Sequence, residues 1–170
     1  MKKIIVSLCL LFSLLVLSQD RSKATEIWLP NPTEVKTGQV TSFPPSDAII
    51  LFNGKNFSNW QNHSGEPPKW LINGDGSMEV INGTGGIRTK ESYGSVQLHI
   101  EWKTSKNIGK YKGQQRSNSG VFLQGRYEIQ ILDSYNNPTY VNGQAGSVYK
   151  QYIPLVNASK PPGEWQSYDI

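Results

Sequence analysis

Arg126-Tyr127-Glu128-Ile129-Gln130-Ile131-Leu132-Asp133 alternates polar and apolar side chains from Arg126 to Ile131. Successive side chains of a β-strand point to opposite faces, so this period reads as a half-buried strand. Arg126, Glu128 and Gln130 then share one face, at intervals of about 6.6 Å, and Tyr127, Ile129 and Ile131 share the other. A carboxylate between a cation and an amide sets a general base, a charge partner and a hydrogen-bond donor in one row. Asp133 breaks the alternation, so it lies past a bulge or caps the following turn. The segment Ser95–Lys103 repeats the bias. Gln97, His99 and Glu101 fall on one face, and Leu98, Ile100 and Trp102 on the other. Two such strands are what a sheet with one packed face and one ligand-facing face requires, although a merely solvated polar face has the same pattern.

Working outward, short apolar runs are closed by Gly and Asn turn signals. Asp47–Phe52 is expected to be the first strand, ended by Asn53-Gly54. Trp70–Ile72 and Met78–Ile81 are expected to flank Asn73-Gly74-Asp75-Gly76. Asn107–Asn118 reads as a polar loop, Val148–Leu155 as a strand, and Trp165–Ile170 as a strand after the Pro161-Pro162-Gly163 turn. No window carries a helical stripe and no repeat is visible. Strands at this spacing predict an all-β sandwich or jelly roll over residues 47–170. Because Trp165–Ile170 ends without a cap or polar tail, the chain reads as a fragment whose closing strands are missing.

Composition narrows the function classes. The chain of 170 residues is 36% hydrophobic and 11% aromatic, with 17 Lys and Arg against 13 Asp and Glu. Lys2 and Lys3 account for part of that surplus, and the rest is scattered, which gives no electrostatic footprint for nucleic acid. Met1-Lys2-Lys3 followed by the apolar run Ile4–Leu17 and the small residue Ser18 is the grammar of an export signal, too short for a membrane-spanning helix. Residues 1–18 are therefore read as a signal peptide and 19–46, with Pro30, Pro32, Pro44 and Pro45, as a leader. The protein is expected in the periplasm or outside the cell. The single cysteine, Cys9, lies in the signal segment, so no disulfide framework is expected. His63 and His99 with scattered acids match no zinc spacing. Oxygen ligands for a divalent cation remain open, and no other cofactor is indicated.

Several blocks resemble one family. Leu51-Phe52-Asn53-Gly54-Lys55 with Trp60, the stretch 85–102, and the long runs 117–140 and 143–170 are similar to secreted bacterial 3-keto-disaccharide hydrolases. The resemblance implies a concanavalin A-like jelly roll of two antiparallel sheets, the concave one holding a sugar. It also implies cleavage of glycosides whose glucose unit is oxidised at C3, by removal of the C2 proton, expulsion of the aglycone and addition of water. Within the region so located, strand parity selects Glu128 or His99 as the base. Arg88, Gln130 or a divalent cation would stabilise the enolate, and Glu101, Arg126 and Tyr149 would contact sugar. Two rival expectations stand beside this one. The first is an ordinary glycosidase using Glu128 and Glu101 as its carboxyl pair. The second is a non-catalytic carbohydrate-binding module with Trp60, Trp70 or tyrosines as stacking platforms.

Overall fold

The computed structural model describes residues 26–27, 29–36 and 43–170. The expected signal segment and part of the expected leader lie outside the described residues. The chain is all-β with antiparallel pairing throughout, and its described helical content is confined to single 3-10 turns at Gly113–Gln115 and Val141–Gly143. No helix among the described residues is long and apolar enough to cross a membrane. The chain divides into two compact units, one ending at Lys90 and one beginning at Glu91.

In the first unit β1 (Trp60–Asn62) pairs with β4 (Ile87–Thr89), and β2 (Leu71–Ile72) with β3 (Met78–Glu79). The β2–β3 connection is the expected turn: the Asp75 carboxylate accepts hydrogen bonds from the Ser77 amide and hydroxyl. Residues 47–52, expected as the first strand, are not one. Their carbonyls are taken by side chains instead: the Asn59 amide donates to Ile50 O at 3.0 Å and the Trp60 indole to Leu51 O at 2.7 Å. With those acceptors spent the run has no ladder to join, and Ile49 and Ile50 stay exposed.

In the second unit β5 (His99–Lys103) pairs with β8 (Trp165–Asp169), and β6 (Ser119–Leu123) with β7 (Tyr127–Ile131). The β6–β7 hairpin turns through Gln124 and Gly125, both at positive φ (55° and 63°). Two successive left-handed residues match the twist of a hairpin. Arg126 is drawn into this turn and leaves the strand row in which alternation had put it. The free edge of β7 is lined by residues 147–149: the Gln130 amide donates to Ser147 O and the Tyr149 amide to Glu128 O. The expected strand Val148–Leu155 goes no further than this, because Lys150 takes φ 57° and Val148 bridges back to Tyr152.

Polar groups dominate the interior of this unit. Trp102 and Leu132 are the buried apolar residues among those described, while Arg116, Gln130, Asp133, Ser134, Asn137 and others are buried polar ones. Arg116, Asp133 and Asn137 are tolerated there because they are bonded. Arg116 Nε donates to Asp133 Oδ2 at 2.7 Å and its Nη2 to Tyr135 O. Asp133 Oδ1 accepts from the Tyr135 amide, so the residue that broke the alternation caps the turn. The Asn137 side chain accepts from the Gly113 amide and donates to Gly113 O and Asp133 O. Asp133→Ala would strand a buried guanidinium and is expected to cost roughly 3 kcal/mol. Urea denaturation followed by tryptophan fluorescence measures it.

Candidate functional site

The register of three neighbouring segments decides which side chains meet. Phe122 lies opposite Glu128 across the β6–β7 ladder, and Gly120 opposite Gln130. On the other edge, the Ile129–Val148 bridge places Tyr149 opposite Glu128. Directly opposed residues of an antiparallel pair share a face with their Cβ atoms about 4.5–5.5 Å apart. Phe122, Glu128 and Tyr149 therefore form one row across the sheet.

Glu128 does not stand upright in that row. Its side chain leans across Gly120, so closely that a Cβ added there would lie 2.6 Å from Glu128 Cγ and 2.8 Å from its Cδ. The missing side chain at 120 is what makes room for the carboxyl. Partial burial in this position raises the Glu128 pKa above its ordinary value of 4.5, because a desolvated carboxylate is less stable than the neutral acid.

A second glycine seats an aromatic ring in the same way. The Tyr140 ring covers Gly143, where a Cβ would come within 2.7 Å of Tyr140 Cδ2. That position brings the Tyr140 hydroxyl to 2.5 Å from the Tyr149 hydroxyl, with ring centroids 6.2 Å apart and planes at 51°. The Lys150 ammonium lies 5.5 Å from the centre of the Tyr149 ring, within cation–π range. The Tyr140 pKa is pushed up from 10 to about 12, first by the hydrogen bond to Tyr149, then by desolvation and by repulsion from Tyr149 and Glu128. Tyr140 is thus a neutral phenol whose pKa feels the Glu128 carboxylate.

Gln130 is built into the support of this face and not into its surface. It is fully buried; its Nε2 donates to Gln114 Oε1 at 3.0 Å and to Gly143 O at 3.2 Å. Gln114 Nε2 donates in turn to Thr139 Oγ1 and Gly143 O. These amides tie the loop that carries Tyr140 to β7. The expectation that Gln130 touches substrate is corrected accordingly: its donors are spent on the protein, and no solvent reaches it.

His99 and Glu101 do not join Glu128. Tyr168, opposite Ile100, donates its hydroxyl to Gln130 O at 2.7 Å and packs on Trp102, with centroids 5.2 Å apart. The Ile100, Trp102 and Tyr168 side of β5–β8 therefore faces β7. His99 and Glu101 lie on the opposite side, exposed, as alternation requires. There His99 Nδ1 is paired with Asp169 Oδ1 at 2.6 Å. A Glu128–Glu101 carboxyl pair is ruled out by the same orientation. Arg126 is exposed in the hairpin turn, and Arg88, exposed at the centre of β4 opposite Gln61, belongs to the first unit. Of the residues selected from the sequence, Glu128 and Tyr149 are brought together. Phe122, Tyr140 and Lys150 were missed. Phe122 was within reach, because folding the polar face of 126–131 back on the Gly125 turn opposes it to Glu128. Tyr140 was not, since nothing local shows that its loop returns over Gly143.

Among the described residues, no group of three or more His, Cys, Asp or Glu could hold a metal ion. The groups that can meet a ligand on this face are a desolvated carboxyl, two phenols, an ammonium and a half-exposed aromatic ring.

Comparison with known proteins came to the same segment of chain. Residues 47–170 match the model of a family described as 3-keto-alpha-glucoside-1,2-lyase-like domain. A solved structure described as a "putative glycosyl hydrolase" from Parabacteroides distasonis ATCC 8503 is 47% identical, with a TM-score of 0.80, over 87% of this chain and 64% of that one. A second so described, from the same organism, is 25% identical with a TM-score of 0.53, over 70% of this chain and 60% of that one. The chain thus spans less than two thirds of the length of either. No curated protein matches it.

The Gly120 contact has a direct consequence. In Gly120→Ala the new methyl group displaces the Glu128 carboxyl toward water, and its pKa falls back toward the ordinary 4.5. Carboxyl-carbon NMR titration of wild type and variant checks this.

Proposed function

The chain belongs to the 3-keto-alpha-glucoside-1,2-lyase-like domain family, and on that premise we propose that it is a carbohydrate-active hydrolase that cleaves glycosides carrying a ketone at C3 of the glucose ring. A C3 ketone acidifies the C2 proton, and the glycosidic oxygen on C1 lies β to the ketone. Glu128 takes the C2 proton as general base. The electron pair left behind forms the enolate, re-forms the ketone and places a double bond between C1 and C2 as the C1–O bond breaks. The proton held by Glu128 passes to the departing aglycone oxygen. Water then adds at C1 and a proton at C2, so the net reaction consumes one water and returns Glu128 to its starting state.

The observation that carries this reading is the placement of Glu128. It is a carboxyl lifted above its ordinary pKa by desolvation, set between an exposed aromatic ring at Phe122 and the phenol of Tyr149. A base works best when its pKa approaches the operating pH, and desolvation moves Glu128 in that direction. The Phe122 ring offers an apolar wall for the C–H face of a sugar. The Met1–Ser18 segment supports export, which would place the reaction in the periplasm or outside the cell.

The tests follow from the role of the base. Glu128→Gln is expected to lower aglycone release from a 3-keto aryl glucoside by about 10²–10⁴-fold, the usual worth of a positioned general base. In wild type kcat/KM rises with pH along an acid limb lying above the ordinary 4.5, because only the ionised carboxyl accepts the proton; that limb disappears in Glu128→Gln. The same aryl glucoside without the ketone is not cleaved, since its C2 proton is not acidic. Turnover of that unoxidised glucoside at a comparable rate would overturn the elimination route.

A further inference from the structure

Elimination through an enolate needs, next to the base, a donor for the oxygen on which charge builds up, and such donors are often the largest single contribution to the rate. Of the chain donors selected from the sequence for that role, Gln130 is not available on the Glu128 face. It is buried with both its amide hydrogen bonds made to the protein.

The face itself holds an alternative. Two hydrogen-bonded phenols have two O–H groups between them and use one for their mutual bond. The phenol that accepts retains its own proton for an outside acceptor. The Tyr140–Tyr149 hydrogen bond is the only side-chain hydrogen bond either makes among the described residues, so the remaining O–H has no protein acceptor. Accepting a hydrogen bond also strengthens a hydroxyl as a donor, since chained bonds polarise one another. Tyr149 is the cross-strand neighbour of Glu128 and the Glu128 charge is felt at the Tyr140 phenol, so base and donor share one face of the sheet, as the adjacent C2–H and C3=O of a ketosugar require.

We propose that the Tyr140–Tyr149 pair is the enolate-holding element of this site: its free phenol O–H donates to the C3 oxygen of the substrate while Glu128 removes the C2 proton. The proposal rests on the elimination reading above and adds the residues that make it feasible. No covalent bond forms with the protein, and the phenol proton stays on tyrosine as the hydrogen bond shortens and then relaxes. The Lys150 ammonium beside the Tyr149 ring is placed to favour the negative charge that the pair shares with the enolate. Repulsion by the Glu128 carboxylate helps to keep the Tyr140 phenol protonated, and the hydrogen bond to Tyr149 does so most.

The experiment follows deuterium entry at C2 of a 3-keto sugar lacking the C1 aglycone, by NMR in heavy water, so that enolisation is read apart from leaving-group departure. Tyr→Phe changes keep the ring over Gly143 and remove only the hydroxyl. The phenol that donates outward is expected to lose about 10²-fold or more in exchange rate when changed to Phe. Its partner loses less, and the double variant falls no more than about threefold below the worse single, because the two act as a unit. An alkaline absorbance titration supplies a readout independent of activity. Tyr149→Phe should bring Tyr140 down from about 12 toward 10. If both single variants exchange within about threefold of wild type while Glu128→Gln does not exchange, the phenol pair is not the donor although the elimination reading stands. If wild type and Glu128→Gln exchange alike, or wild type does not exchange, the elimination reading falls and the proposal with it.

Discussion

The buried side-chain amide of Gln130 is the tie on which the geometry of the second unit depends. It sits in the middle of β7, without solvent exposure, and its two N–H groups reach Gln114 and Gly143. Leaving a buried N–H unbonded is costly, so each acceptor of these two is held at bonding distance. One bond fixes the loop around Gln114; the other fixes Gly143, under the Tyr140 ring. The Gln130 backbone carbonyl accepts from the Tyr168 hydroxyl, which anchors β8 and through it β5. Burial pushes the Tyr168 pKa upward, so that hydroxyl remains a donor across the working pH range. One residue thus relates the strand carrying Glu128 to the loop carrying Tyr140.

Around that tie, glycines do the shaping. Gly120 gives up its side-chain volume to the Glu128 carboxyl and Gly143 to the Tyr140 ring. Both functional side chains lie flat against backbone, where rotation is limited by contact. Such positioning is what a proton-transfer site needs, because small misplacements of a base cost large factors in rate. The desolvation that raises the Glu128 pKa comes from the same close seating. Packing, acidity and orientation are therefore one feature seen from three sides.

Much of this was legible in the sequence, and the failures have physical causes. Period-two alternation located β5 and β7 and assigned their faces, since burial on one side leaves a pattern in any strand. It did not reveal that Arg126 is needed for the hairpin turn, which depends on Gln124 and Gly125 both adopting positive φ. It misread 47–52 because an apolar run resembles a strand whether or not side chains have taken its carbonyls. It grouped His99 with Glu128 because parity fixes faces within a strand but not between ladders. Only the Tyr168–Gln130 hydrogen bond shows that His99 and Glu101 look away. Gln130 was assigned to the right face but the wrong role, because a buried amide and a ligand-facing one have the same sequence signature. Tyr140 is placed by the path of a loop, which no local pattern encodes.

The chemistry turns on where a ketosugar rests. A crystal structure of the Glu128→Gln protein soaked with a 3-keto glucoside measures this directly. The predicted result is C2 about 3–3.5 Å from the residue-128 side chain, with the C3 oxygen within hydrogen-bonding reach of the Tyr140 or Tyr149 hydroxyl. A sugar bound instead beside His99 and Asp169, with nothing against residue 128, would contradict it.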